Sequence, residues 1–163
     1  MASIIDSVPA SSRGGRPVDL AVTWTIATGL GATLAVVGWT DLALLWWPPR
    51  FGNAAWEFGT IGAHIAGMPL ATIGTGLLSA AAIGRGWRRM ARVLSIVSLL
   101  IAAATAALMV FYALDIAPAW RGVSEAARPA LVKAVLKTSV FAVVYAATYI
   151  WLGRLLWRKS AAQ

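Results

Sequence analysis

Apolar positions in this chain neither alternate with polar ones, as in a half-buried strand, nor recur as a narrow helical stripe. They run together. Four apolar blocks occupy about 20–45, 57–83, 92–115 and 130–157. A bilayer core about 30 Å thick takes roughly 20 residues of helix to cross. The cleanest block, 93–114, holds no charged residue. Segments so apolar on every side satisfy their backbone in lipid only as helices or closed barrels. The pattern predicts an all-α, integral membrane four-helix bundle with short loops.

The breaks between blocks carry the expected stop and start signals. Pro48 and Pro49 end the first span, since proline lacks the amide donor and restricts the residue before it. Trp56 and Glu57 open the second, with an acid favourably placed at a helix N-terminus. Pro69 lies inside that span and predicts a kink. A basic turn from Arg85 to Arg92 separates spans two and three, and Asp115 is expected to end span three. Residues 124–128 read as a short interfacial turn before Pro129, which suits the first turn of span four. Residues 1–19 read as a flexible cytoplasmic tail, 20–159 as the transmembrane domain and 160–163 as a second tail. The first segment is not read as a secretory signal, because the apolar run after it is too long and ends in no small-residue cleavage site.

Composition sharpens this picture. Of 163 residues, 60% are hydrophobic and 12% charged, whereas a soluble domain carries about 25% charged residues. Cysteine is absent, which excludes disulfides, thiolate catalysis and Cys-ligated metals. The single histidine excludes a multi-His metal site. Neither a Ser/His/Asp constellation nor a phosphate-cradling loop is visible, so the chain is expected not to be an enzyme.

Charge sets an expected topology. With both termini and the 84–92 turn on one side, that side holds nine basic and two acidic residues. The other side holds five basic (Arg50, Arg121, Arg128, Lys133, Lys137) and four acidic residues (Asp41, Glu57, Asp115, Glu125). The resulting charges are +7 and +1, and the more positive side is expected to be cytoplasmic. N and C termini are therefore expected inside, in a bacterial inner membrane. The net +8 is a topology and anionic-lipid signal rather than a nucleic-acid one.

Three features could carry function. First, Gly59, Ala63, Gly67, Ala71, Thr75 and Ser79 are small residues at successive i+4 positions, a ridge that lets another helix approach closely. The partner helix could lie within the chain or in another subunit. Second, His64 sits among Gly59, Gly62, Ala63 and Gly67. Small neighbours leave room for a flat ring, so a porphyrin or chlorophyll at His64 is one reading, and a proton-handling group another. A histidine merely hydrogen-bonded within the bundle is the plainer one. Third, Asp41, Glu57, Asp115, Lys133 and Lys137 form an outer-face charged cluster. Ionisable groups near membrane depth usually pair, and Lys137 is expected to pair with Asp41 or Asp115. Six of the nine tryptophans fall at span ends (Trp46, Trp47, Trp56, Trp87, Trp120, Trp157), where an aromatic belt is expected.

The run 41–78 resembles a hairpin of small HpsJ-like membrane proteins. The shared features are the Asp41–Leu42 helix end, the Pro49–Phe51–Asn53 loop, the Trp56–Glu57 pair, Thr60–Ile61–Gly62 and Pro69–Leu70. The resemblance implies a shared hairpin and a role associated with polysaccharide secretion. It attaches no catalytic residues, and its family carries more polar residues where this chain has His64 to Met68.

The expected function is that of a non-enzymatic accessory or scaffold subunit packing against a larger membrane complex. The ridge would be its contact face and the 46–57 loop its outer docking element. Other membrane subunits, or copies of itself, are the expected partners besides lipid, and nucleic acid is not one. Two alternatives stay open: a small transport or binding protein using the charged cluster, and a pigment- or haem-associated subunit with His64 as ligand.

Overall fold

The structure, a computed structural model, describes residues 20–162. The 1–19 tail lies outside the described residues. Four helices follow in order: α1 Leu20–Leu44, α2 Ala54–Gly84, α3 Arg88–Gly122 and α4 Arg128–Ala162. A single 3-10 turn, Glu125–Ala127, precedes α4. No strand occurs among the described residues. All four helices are long and apolar enough to cross a membrane.

Helix ends follow local chemistry. Asn53 caps α2, its side chain accepting the Trp56 N–H at 3.0 Å, which satisfies one of the unpaired amides of a first turn. At the other end Gly86 takes φ +67°. Its amide bonds to Ile83 O, and the Trp87 amide bonds to Ala82 O. This pair of bonds closes a helix through a left-handed glycine.

Two boundaries differ from expectation. The helix of span three does not stop at Asp115; α3 runs on to Gly122 with Pro118 inside it. Proline removes one donor but fixes φ at a helical value, so one missing bond does not end the helix. Residues 160–162 are helical rather than a tail: Ser160 is buried and donates to Trp157 O. At 1.5 Å per residue, the 35 residues of α3 span about 50 Å, well beyond a hydrocarbon core of about 30 Å.

The helices do not form a closed bundle of four. α2 is the hub and touches the other three; α3 pairs with α4; α1 packs on α2 and, among the described residues, on neither α3 nor α4. The α1–α2 contact rests on small residues of both helices. A methyl group added at Gly38 would sit 2.5 Å from Ala71 N, and one at Gly74 would strike the backbone at Ala35. One added at Gly31 would meet Leu78 N at 2.9 Å. Contact continues to both ends: Trp24 lies against Gly84, Arg85 donates to Thr25, and Leu42 covers Gly67.

On the other side of α2, the core joins Ile61, Ile65 and Met68 to Tyr112 of α3 and to Ala142 and Tyr149 of α4. Phe58 stacks on Tyr112 with ring centroids 4.5 Å apart. Tyr149 donates to Thr72 at 3.2 Å, and Ser95 donates to Gly153 O at 2.7 Å, tying α4 to α2 and α3.

Candidate functional site

The end of the molecule that carries the 45–53 loop gathers most of the residues singled out above. The loop leaves α1 through Trp46, passes a cis Trp47–Pro48 peptide, and turns at Gly52, whose φ of +87° favours glycine. The turn is held from α2: Glu57 accepts the Gly52 N–H at 2.6 Å. Trp46, Phe51 and Trp56 collect into one aromatic cluster. Trp46 lies 5.9 Å from Trp56 and 6.3 Å from Phe51 between centroids, and Phe51 meets Trp56 edge-on at 5.8 Å.

His64 belongs to this cluster. The Trp46 indole N–H donates to His64 Nδ1 at 3.2 Å, and the two rings meet edge to face. The ring also faces the backbone carbonyl of Leu42. An indole nitrogen can only donate, so Nδ1 holds a lone pair and the neutral ring carries its proton on Nε2. A ligating imidazole usually binds metal through one nitrogen and donates its N–H from the other. Ligation through Nε2 would move the proton to Nδ1, where it would oppose the Trp46 N–H. The small residues expected to leave room for a macrocycle lie elsewhere: Gly59, Gly62, Ala63 and Ala66 line a notch against α4 that does not include His64. His64 as placed latches the first loop to α2.

The small-residue ridge is split. Ala71, Thr75 and Ser79 are buried, and Gly67 lies under Leu42. This stretch faces α1, so that part of the partner is internal. Gly59 and Ala63 are exposed and border the notch, which also includes Lys137 and Phe141.

The charged cluster also separates. Asp41 is exposed on α1, and Lys133 and Lys137 are exposed on α4. The expected pairing of Lys137 with Asp41 or Asp115 does not form: the Lys137 ammonium lies 5.6 Å from the Phe141 ring centroid. The ion pair among the described residues is Arg128–Glu125 at 3.4 Å. Asp41 is out of reach because α1 does not touch α4, and Asp115 turns to α2 instead. Glu57 of α2 is the charged group that acts on its carboxyl. Asp115 Oδ2 is buried and has no hydrogen-bond partner.

Beside Glu57 lies a cleft of about 280 Å³ lined by Trp46, Phe51, Glu57, Ile61, Leu108 and Phe111. The spacing of Leu108, Phe111 and Asp115 puts all three along one side of α3. Sequence reasoning missed this convergence, although that spacing was its visible signal. It also missed the α1 stripe Gly31, Ala35, Gly38 and Leu42, all buried. No protein-family model matches the chain, and comparison with curated proteins and with solved structures found no match either.

Proposed function

We propose that this chain is a non-enzymatic accessory subunit of a larger complex in the bacterial cytoplasmic membrane, with both termini inside. The observation that carries this reading is that α1 has a single neighbour among the described residues. The rest of its surface is apolar, with Val22, Ile26, Leu30, Val36 and Leu44 each more than half exposed. On its outer half a trough of about 670 Å³ is lined by Ala35, Val36, Trp39, Thr40, Ala43, Leu44 and Trp47. Small residues flanked by large ones are what a second transmembrane helix needs for close approach. The ridge on α2 is no longer the contact face of choice, because α1 covers its inner part.

The charge asymmetry supports the orientation: the turn between α2 and α3 is basic and the loop between α1 and α2 holds only Arg50. On the resemblance of 41–78 to the HpsJ-like hairpin, the complex would be one that secretes polysaccharide. The aromatic 46–57 loop then faces the outside and docks to it there.

Co-purification tests the reading. Extracted in mild detergent from its native membrane, the tagged chain is expected to bring one partner in fixed ratio. Ala43→Trp, at an exposed position of the trough, should release that partner while leaving insertion intact. A partner-free monomer from the unsubstituted chain, in every mild detergent tried, contradicts the reading.

A further inference from the structure

We propose that the notch between α2 and α4 is a binding site for an anionic phospholipid, whose phosphate meets Lys137 and whose acyl chain lies along Gly59, Gly62 and Ala63. The inference does not rest on the subunit reading. The notch is on the α4 side of α2, and among the described residues α1 does not touch α4.

The notch is built by two stripes of matching spacing. Gly59, Gly62, Ala63 and Ala66 share one face of α2. Lys137, Thr138 and Phe141 line it from α4. Glycine on the other flank of α2 serves helix contact: at Gly74 the place of a Cβ is taken by the backbone of α1. Here the glycines leave space instead. Nothing lies within 4 Å of a methyl added at Gly59, and at Gly62 the nearest atom is Thr138 Oγ1 at 3.7 Å. The space left amounts to about 320 Å³, with Phe58 and Tyr112 among its walls.

Charge says what fills it. Lys137 lines the notch and is exposed. Among the described residues no carboxylate lies within ion-pair distance of it, and its ammonium rests 5.6 Å from the Phe141 ring centroid. Depth narrows the counterion. The uncharged run 138–153 between Lys137 and Arg154 is about 24 Å of helix, shorter than a hydrocarbon core of about 30 Å. Both ends of that run therefore lie at the edge of the core, where long basic side chains reach back toward the headgroups. The anion found at that depth is the phosphate of a lipid headgroup, and basic pockets between transmembrane helices bind such headgroups.

Shape excludes the other occupants. From Gly59 to Ala66 the notch runs about 10 Å along α2. The next residues on that face, Leu70 and Ile73, are large and exposed. A helix crossing the bilayer would find small residues over only about a third of its path, whereas a lipid chain occupies one leaflet. Apolar space open to the bilayer gains dispersion contacts when a chain fills it. A soluble anion would leave the small-residue floor bare, and a metal cation would meet the lysine.

Native mass spectrometry of the full chain in a neutral detergent tests the site, with dioleoylphosphatidylglycerol and dioleoylphosphatidylcholine added in turn. One phosphatidylglycerol per chain should be retained, about fivefold or more tighter than phosphatidylcholine. Lys137→Met should remove that preference and Lys137→Arg should keep it, with circular dichroism unchanged. Gly59→Leu extends into open space and should weaken retention with the lysine still in place. Arg121→Gln removes an exposed cation at the end of α3 and should leave the preference intact. Glycerophosphoglycerol, the headgroup without its chains, should not displace the lipid at equal concentration. Equal retention of the two lipids by the parent, equal losses in Arg121→Gln and Lys137→Met, unaltered binding in Gly59→Leu, or displacement by glycerophosphoglycerol would each overturn the proposal. So would a parent without lipid preference whose co-purified protein is lost in Lys137→Met, which would assign the lysine to a partner's carboxylate.

Discussion

At the scale of single residues, Gly38 and Gly74 decide whether α1 and α2 form a pair. The place a Cβ would occupy at either is already taken by the facing backbone. Gly38→Leu should therefore push the helices apart and lower stability by about 1–3 kcal/mol or more, as overpacking does. Thermal unfolding in detergent reads this, and an unchanged midpoint contradicts it. Gly76 offers a control, since nothing lies within 4 Å of its added methyl; Gly76→Ala should stay within about 0.5 kcal/mol of the parent. His64 makes a second prediction. His64→Phe keeps a flat ring but removes the acceptor of the Trp46 N–H, and a part-buried donor left unpaired costs about 1–3 kcal/mol. The same melt checks it. Half of this packing was legible in the chain. The i+4 series from Gly59 to Ser79 announced a close-packing face on α2. Its complement on α1, Gly31–Ala35–Gly38, uses i+4 and i+3 steps inside a run with no polar residue to mark its other face. In a helix apolar all round, lipid-facing and buried positions have the same chemistry, so the stripe could not be read from hydropathy.

At the scale of elements, the number and order of helices were plain from four apolar runs, and the loop and cap residues Pro48, Asn53 and Gly86 did what such residues do. The end of α3 was misread because Asp115 and Pro118 are both usual stop signals. Here the acid turns toward α2 and the proline costs one hydrogen bond. Leu108 and Phe111 of α3 line one edge of the cleft beside Glu57. Charge pairing was misread for a related reason. Opposite charges at similar depth were expected to meet, but depth does not give neighbours, and α1 does not touch α4. Lys137 is thus an exposed cation near an aromatic ring. Lys137→Met should change stability by no more than about 0.5 kcal/mol, where breaking a buried ion pair would cost about 3–5 kcal/mol. A large loss in the thermal melt would restore the ion pair.

At the scale of the whole molecule, the fold is a three-helix core of α2, α3 and α4 with α1 fixed to one flank. Topology can be tested without removing native thiols, since the chain contains no cysteine. A membrane-impermeant maleimide should label Ser124→Cys in intact cells, and should reach Arg89→Cys only after permeabilisation. The reverse pattern would invert the assigned orientation. The central claim is that the free flank of α1 is covered by another protein rather than by lipid alone, and crosslinking in the native membrane tests it most directly. A photoreactive phenylalanine analogue is placed at Ala43 in the α1 trough and, separately, at Val143, an exposed position on α4. Illumination is expected to give one discrete protein adduct from position 43 and none from position 143. Lipid adducts alone from position 43, or the same ladder of products from both positions, would contradict the account.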